Sequence, residues 1–478
     1  MARQLFALTF PPLLGLFILA LGNGFLSTLV TIRLSASGAS VEAIGLVSAA
    51  YYIGLGLGAV LNDRLLLRIG HIRAYACFAA IVAASSLAQA LWLDAGWWFV
   101  LRLFGGWATV GVYLVIESWL LTGGDRAMRG RILAFYMISL YAALALGQLL
   151  IGLFDESPEA PGAALPYVLI GILATLSLLP MAIIPRVSPL IEHAEPLSPW
   201  RLAKITPTGV VGSFGSGLVV AALYSLLPLY LQSRGYQLSE IGTLMATVIV
   251  GGMALQYPIG RWSDRHDRQR VLIIITAALV GLALLVPFAA YGYWPLSVAL
   301  FLYGGGAFSL YPVAVGHSAD RAPPSALVGM SQGMLLINAL GCTISAPLLT
   351  LLMAHVGNDG LFFGFGAVAL SLALFFSWRR SRRPAPQPLA PFAPQPAQSV
   401  VGAELLVTDE LMAGAEQAET ETEAHEENAE REHAERQALE IEGDLAEQGV
   451  PASNLRLLDP QGPEPMTGVH EQPETNRS

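Results

Sequence analysis

Apolar residues follow one another in long runs along most of this chain, with few polar residues between them. Twelve runs of about 20 residues stand out, near 8–32, 42–62, 74–93, 97–121, 131–153, 165–185, 207–231, 240–261, 271–291, 295–316, 325–353 and 360–378. A run of this length crosses the hydrocarbon core of a bilayer as an α-helix, which pairs its backbone amides within the segment. The pattern therefore predicts twelve transmembrane helices.

The second half of the chain repeats the first at an offset of about 200 residues. Arg102–Ala108 (RLFGGWA) is matched by Phe301–Ala307 (FLYGGGA), and Ala59–Arg64 (AVLNDR) by Gly260–Arg265 (GRWSDR). A period of this length is too long for a solenoid. Paired membrane halves with a binding site between them are a transporter architecture.

The composition agrees with a membrane protein and sets the C-terminal end apart. Of 478 residues, 54% are hydrophobic and 13% charged, and the mean hydropathy is +0.57. Residues 1–383 hold 22 Arg and Lys against 15 Asp and Glu, a net charge of +7, whereas residues 384–478 hold 4 against 20, a net charge of −16. This tail is too polar to bury a core of its own. The acidity of the chain therefore belongs to the tail and argues neither for nor against nucleic-acid binding, and no nucleic-acid partner is expected.

The predicted fold class is an all-α polytopic membrane protein, with twelve transmembrane helices in two pseudo-symmetric six-helix bundles. The N-terminal bundle is expected at 1–186, a cytoplasmic linker at 187–206, the C-terminal bundle at 207–383, and a disordered, proline-rich and then acidic tail at 384–478. With the N-terminus inside, the outer segments carry only Arg33 and Arg234, and the other basic residues outside the spans lie inside. Both termini are therefore expected in the cytoplasm, with the protein in the plasma membrane, a bacterial inner membrane.

Several short motifs resemble the major facilitator superfamily. Gly260–Arg270 (GRWSDRHDRQR) fits the family signature Gly-x-x-x-Asp-Arg followed by basic residues, whereas Ala59–Arg64 lacks the glycine at its start. The segments IES at 116–118, RGR at 129–131, LPLYL at 227–231 and LYPVA at 310–314 are similar to the YcaD-like branch of that superfamily. The resemblance covers residues 10–380 and implies the twelve-helix transporter fold.

The resemblance assigns gating roles to charged residues at the inner ends of the helices. The Asp-Arg loops would latch the two halves together in the outward-open state and release in the inward transition. Their motif residues are Asp63 and Arg64 in the first half, and Gly260, Asp264, Arg265 and Arg268 in the second. A carboxylate there can face a helix N-terminus, where the dipole favours negative charge. The alternative is a charge cluster that only fixes topology.

The fourth apolar segment holds two charges, Arg102 near its outer end and Glu117 near its inner end. They lie about 22 Å apart along a helix but only about 60° apart around it, with Tyr113 between them in angle. Such a polar face should point into the bundle, because charge facing lipid is unfavourable. The resemblance links Arg102 with proton coupling, although its side chain could instead snorkel to the outer interface. Glu117 would be a structural gate in a network with Arg129 and Arg131, or a proton carrier.

Neutral polar side chains within the spans are candidates for a substrate cavity. Spacings of seven place pairs of them on one helix face. The candidates are Asn23, Tyr113, Tyr141, Gln148, Tyr224, Gln256, Ser331 and Asn338. Each of them could instead satisfy a hydrogen bond between helices. This mostly neutral and aromatic set favours an uncharged, amphipathic or sugar-like substrate.

Taken together, the residues predict a secondary active transporter, a monomer in the lipid bilayer that moves a small molecule by alternating access with proton linkage. A primary pump is excluded, because Lys204 lies in no glycine-rich phosphate loop. An enzyme is not expected, since the spans hold no paired carboxylates or Ser/His/Asp set. No cofactor or metal is expected either. The alternative is a membrane receptor or scaffold that uses a transporter fold and signals through its acidic tail.

Overall fold

The computed structural model describes residues 2–122, 129–154, 162–183, 198–322 and 326–382. Within these ranges the chain forms fifteen α-helices, with a 3-10 turn at Leu150–Leu153, and no strand. The helices are α1 Ala2–Ala36, α2 Val41–Ile69, α3 His71–Gln89, α4 Ala95–Thr122, α5 Arg129–Leu149, α6 Leu165–Leu176, α7 Leu178–Ala182, α8 Pro199–Ile205, α9 Pro207–Ser225, α10 Leu227–Ser233, α11 Leu238–Arg265, α12 Arg268–Ala289, α13 Tyr293–Ala319, α14 Leu327–Val356 and α15 Gly360–Arg382. The predicted tail, from 384 onward, lies outside the described residues.

Twelve of the described segments are long and apolar enough to cross a membrane, which confirms the predicted number of spans. Two predicted spans are interrupted. The sixth breaks at Ser177 between α6 and α7, and the seventh breaks at Leu226 between α9 and α10. Pro180 and Pro228 follow these breaks closely, and a proline has no N–H to continue the helical hydrogen bonding.

The helices of the two bundles pair in the same way. In the first bundle α1 packs against α5, α2 against α4, and α3 against both α4 and α6. In the second bundle α9 packs against α14, α11 against α13, and α12 against both α13 and α15. The bundles meet along α2 with α14 and α5 with α11. The repeat in the sequence is therefore a repeat of helix packing.

Close helix crossings explain part of the glycine content. At Gly106 on α4 a Cβ atom would overlap the backbone oxygen of Tyr51 on α2. At Gly304 on α13, in the matching segment of the repeat, a Cβ atom would overlap the backbone oxygen of Val248 on α11. Membrane helices associate through such close backbone contacts, since lipid offers no hydrophobic drive for association.

The described end of the predicted linker belongs to the second bundle. Ser198 caps α8 by accepting a hydrogen bond from the backbone N–H of Arg201 at 3.4 Å. Leu202 is buried and packs in one cluster with Tyr311 and Met330. The short helix α8 thus continues into α9 as part of the second bundle, where the sequence predicted a linker up to 206.

The two ends of the helix bundle differ in charge. We call the end that carries Arg64, Arg131, Arg265 and Arg380 the Arg-rich end, and the end that carries Arg33 and Arg234 the Arg-poor end. These ends correspond to the inner and outer sides predicted from the basic residues.

The two bundles touch at the Arg-poor end. Thr31 Oγ1 on α1 donates to the backbone oxygen of Ser225 on α9 at 2.8 Å. A Cβ atom at Gly45 would meet Thr350 Oγ1 at 2.8 Å, and one at Gly152 would meet Ser239 Cα at 2.7 Å. The bundles are therefore in backbone-close contact on this side.

Candidate binding cavity

A small, partly open cavity lies between the bundles. Helices α1, α2, α4 and α5 of the first bundle and α9 of the second contribute to its wall. The lining residues are Asn23, Ser27, Val30, Ser48, Tyr51, Tyr52, Arg102, Leu144, Tyr224 and Ser225. The wall is therefore rich in hydroxyl groups and tyrosine rings, and it has one charged member.

Arg102 is buried in the wall of this cavity. Its residue is 6% exposed, and its guanidinium carbon lies 4.2 Å from the centre of the Tyr51 ring. This is the geometry of a cation–π contact. Among the described residues Arg102 has no hydrogen-bond or ion-pair partner, and its Nε is fully buried. The side chain thus points into the protein.

Hydrogen bonds and ring contacts fix the aromatic residues around Arg102. Asn23 Nδ2 donates to the Tyr51 hydroxyl at 2.9 Å, which holds α1 against α2. The rings of Tyr51 and Tyr52 meet edge to face at 5.4 Å. The Tyr52 hydroxyl donates to the backbone oxygen of Ala221 at 3.4 Å and so joins the two bundles.

A second aromatic group joins the bundles beside the cavity. Phe308 on α13 meets Tyr141 on α5 at 5.7 Å and Tyr224 on α9 at 5.8 Å, both edge to face. Gln256 Nε2 donates to the backbone oxygen of Phe308 at 3.4 Å. Of these predicted cavity residues, Tyr224 lines the cavity, while Tyr141 and Gln256 contact Phe308 outside the lining.

Two predicted cavity residues instead hold helices together. Gln148 on α5 accepts from Thr28 Oγ1 at 2.5 Å and donates to the backbone oxygen of Gly24 at 2.8 Å, both on α1. Asn338 on α14 donates to the backbone oxygen of Ser213 on α9 at 2.9 Å. These helix pairs match each other in the repeat, so the two amides do equivalent structural work.

The remaining neutral candidates are buried away from the lining. Tyr113 is fully buried on α4, with Asn23 beside it, and its hydroxyl makes no hydrogen bond of normal geometry. Ser331 is buried near the start of α14. Neither residue belongs to the wall of the cavity.

Glu117 lies fully buried at the other end of α4 from Arg102. The hydroxyl of Tyr136 on α5 donates a hydrogen bond to its carboxylate. Tyr136 was not among the residues expected from the sequence. Arg131 is exposed, and the side chain of Arg129 is not described.

The second Asp-Arg motif forms a cluster of charges at the Arg-rich end. Arg268, at the start of α12, pairs with Asp264 at 3.1 Å and with Asp320 at 3.4 Å. The side chains of Arg268 and Asp320 are each 1% exposed. We call these three residues the Arg268 cluster. Asp320, at the end of α13, has no signal in the motif itself and was missed.

A neighbouring ion pair ties this loop to the last helix. Asp267 caps α12 by accepting from the backbone N–H of Gln269 at 2.9 Å. Its other oxygen accepts from Arg380 Nε on α15 at 2.9 Å. These contacts all lie within the second bundle.

The first Asp-Arg motif is built differently. Asn62, just before Asp63, donates from Nδ2 to the backbone oxygen of Trp107 at 3.0 Å and so holds α2 against α4. Arg64 and Arg68 are exposed, and Asp63 is partly buried. Gly260 is buried and Arg265 exposed in the second copy. The buried arginine of the second copy thus has no equivalent at Arg68.

A further ion pair lies at the Arg-poor end. Arg234, after α10, pairs with Asp359, before α15, and its guanidinium carbon lies 5.2 Å from the centre of the Tyr230 ring. Both partners are within the second bundle, so this pair holds together the Arg-poor end of that bundle.

Comparison with known proteins supports the architecture. The family model described as Major Facilitator Superfamily matches residues 13–246 and 210–415. An uncharacterized MFS-type transporter of Enterobacter sp. (strain 638) is 31% identical over 376 residues, which are 78% of this chain and 96% of the relative. The uncharacterized MFS-type transporter YcaD of Escherichia coli O139:H28 is 31% identical over 375 residues, 78% of this chain and 96% of the relative.

Solved structures of the same architecture are similar at low identity. The nucleoside transporter NupG superposes with a TM-score of 0.65 and 14% identity, covering 78% of this chain and 98% of that one. A D-xylose-proton symporter superposes with a TM-score of 0.64 and 16% identity, covering 78% of this chain and 97% of that one. At this low identity the similarity to the two structures establishes only the fold.

Proposed function

Because this chain belongs to the major facilitator superfamily, we propose that it is a proton-linked secondary transporter that carries a small molecule across the plasma membrane by alternating access. The observation that carries the proposal is the cavity, whose wall takes residues from both bundles. A site between two bundles can be opened to either side by rocking one bundle against the other. The resemblance read from short motifs is confirmed by the relatives.

The contacts at the Arg-poor end are those that an alternating cycle has to break. Thr31 to Ser225 and Tyr52 to Ala221 are single hydrogen bonds between the bundles. Each contributes only about 1 kcal/mol, so they can open without a large barrier. We place this end outside and both termini in the cytoplasm, since basic residues collect at the opposite end.

We assign the proton to Glu117 in preference to Arg102. A guanidinium stays charged under physiological conditions, whereas a buried carboxylate can gain and lose a proton. Glu117 is fully buried and bonded to Tyr136 on the neighbouring helix, so a change in its charge is felt where α4 meets α5. The D-xylose-proton symporter, whose fold this chain shares, is a precedent for proton linkage on this fold.

We assign the latch to the Arg268 cluster and to Asp63 with Arg64. In the second bundle Asp264 is joined through Arg268 to Asp320, so the loop after α11 is held to α13. In the first bundle Asn62 plays the anchoring part, and Asp63 remains partly accessible. The second loop is therefore the stiffer of the two.

Reconstitution tests the proposal. The purified full chain in proteoliposomes should take up at least one compound from a library of small metabolites, faster with an imposed pH gradient than without one. Glu117→Gln should keep exchange of that compound between the two sides but lose its response to the gradient. Uptake that ignores the gradient in the unmodified protein would contradict proton linkage.

The receptor alternative has its own outcome. One outcome is that no library compound is transported, while cells whose protein lacks residues 384–478 show the same phenotype as cells without the protein. In that case the transporter proposal fails and the scaffold role stands.

A further inference from the structure

We infer that the cavity binds a small organic monocarboxylate, with its carboxylate held by Arg102. This inference rests on the proposed function, because it takes the cavity to be the substrate site. It names the chemical class of the substrate and gives Arg102 a part in recognising it.

The first step is the charge of the site. Arg102 is more than nine-tenths buried, and no described lining residue is acidic. The titratable groups that act on its guanidinium are the hydroxyls of Tyr51 and Tyr52. Glu117 lies about 22 Å away along the same helix, by the rise of 1.5 Å per residue. A buried cation without a counter-charge is strongly unfavourable, so an anion that enters the cavity is stabilised there.

The second step is geometry. One face of the guanidinium is covered by the Tyr51 ring, at 4.2 Å from the ring centre. The N–H groups lie in the guanidinium plane, at the edge that the ring does not cover, and among the described residues the buried Nε has no hydrogen-bond partner. A planar fork of N–H donors matches the two oxygens of a carboxylate. Asn23 donates a hydrogen bond to the Tyr51 hydroxyl, so the ring that packs against the Arg102 guanidinium is itself held in place.

The third step is the number of charges in the wall and the chemistry of the groups beside them. The wall offers one cation, together with the hydroxyls of Ser27, Ser48 and Ser225 and the apolar side chains of Val30 and Leu144. A single cation balances one negative charge, which favours a monocarboxylate over a phosphate dianion. Hydroxyl and apolar groups beside it suit a short chain with few polar substituents. The uncharged substrate expected from the sequence would leave Arg102 uncompensated.

Thermal unfolding of the purified full chain tests the assignment directly. The probes are acetate, propionate, lactate and benzoate, each paired at pH 7 with its own amide, which has the same shape without the charge. A ligand that binds the native state raises its apparent stability. At least one carboxylate should raise the Tm while its amide does not. If every carboxylate and its amide act alike, or if inorganic phosphate alone stabilises, the assignment is overturned.

Variants at the guanidinium sharpen the test. Arg102→Gln should weaken binding of the effective carboxylate at least tenfold, and Arg102→Lys, which keeps the charge but loses the fork, should weaken it less. Ser331→Ala, buried outside the cavity, is the matched control and should leave binding unchanged. Undiminished binding in Arg102→Gln would overturn the assignment. If that variant does not fold, the comparison of acids with amides in the unmodified protein still decides.

The failure of this inference is distinguishable from that of the proposed function. Transport of a neutral compound, unaffected by Arg102→Gln, would overturn the monocarboxylate site and leave the transporter. A carboxylate that binds through Arg102 but is never transported would overturn the transporter and leave the site.

Discussion

At the residue scale, two of the ion pairs of the second bundle differ sharply in their exposure to solvent. Arg268 and Asp320 have side chains that are each 1% exposed, whereas Arg380 and Asp267 are 38% and 22% exposed. Removing one partner of a buried pair leaves an uncompensated charge in the interior, and an exposed pair contributes little. The two pairs therefore offer a matched comparison within one bundle.

We expect Asp320→Asn to lower the free energy of unfolding by up to about 3–5 kcal/mol, because Arg268 would lose its buried partner and keep only the partly exposed Asp264. Asp267→Asn should lower it by no more than about 1 kcal/mol, since asparagine still caps α12 and the pair is partly solvated. Denaturation in detergent, followed by intrinsic fluorescence, measures both. Equal losses in the two variants would contradict the role given to burial.

The sequence could identify polar residues within the spans but not their partners. Gln148 and Asn338 were placed on helix faces by their spacing, yet both hold neighbouring helices together. Spacing gives the direction of a side chain around its own helix and leaves the neighbouring helix unknown. For the same reason the sequence left two positions open for the Arg102 side chain, inside the bundle or at the interface. Only the packing of α4 against α2 shows that it lies over the Tyr51 ring. Glu117 and Tyr136 meet for reasons equally invisible in the sequence.

At the element scale, the close helix crossings determine where a helix can accept a side chain in place of glycine. Gly304 on α13 sits against the backbone of Val248, whereas Gly281 on α12 has open space around it. Both glycines lie inside helices, so the change in helix propensity on replacement by alanine is the same. Any difference between the two replacements therefore reports the crossing.

Gly304→Ala should destabilise the folded protein by about 1–3 kcal/mol, because the added methyl group forces α11 and α13 apart. Gly281→Ala should be neutral or stabilising by up to about 1 kcal/mol. The midpoint of thermal unfolding in detergent, with protein yield after membrane extraction, measures both. A stable Gly304→Ala protein would show that this crossing can relax.

The number of spans and their grouping into two bundles followed from the sequence, whereas the pairing of the helices within a bundle came from the structure. Runs of apolar residues gave the twelve spans, and the repeat gave the two bundles, because both signals act along the chain itself. The breaks at Ser177 and Leu226 were missed, although Pro180 and Pro228 stand beside them. Proline is tolerated in membrane helices, so its presence alone does not predict a break.

At the scale of the whole molecule, orientation is the first property to test. Asn358 is exposed at the Arg-poor end and Arg270 at the Arg-rich end. In a chain whose two cysteines, Cys77 and Cys342, are replaced by alanine, Asn358→Cys should react with an impermeant thiol reagent added to intact cells. Arg270→Cys should react only after the membrane is opened. The reverse pattern would place both termini outside.

The two latch loops should differ in their effect on the conformational equilibrium. Asp264→Asn removes the charge that faces Arg268, whereas Asp63 belongs to a loop without a buried arginine. We expect Asp264→Asn to shift the balance of the two access states by about 1–2 kcal/mol, which is a factor of roughly 5–30 in population. Asp63→Asn should shift it less.

Spin labels at Arg73 and Arg270, which open the matching helices α3 and α12, report this balance as a distance across the Arg-rich end. A larger share of long distances in Asp264→Asn than in Asp63→Asn supports the assignment. Identical distributions in two well-folded variants would leave both aspartates as topology signals only.

The ion pair between Asp267 and Arg380 also sets an order of events during synthesis. The two residues are 113 positions apart. At a translation rate of about 5–20 residues per second, roughly 6–23 s pass between the synthesis of the two partners. The helix α12 thus forms with its N-terminal cap complete but its ion pair to α15 missing. Among the described spans α15 leaves the ribosome last, so a nascent chain stalled before it lacks the ion pair that joins the start of α12 to α15.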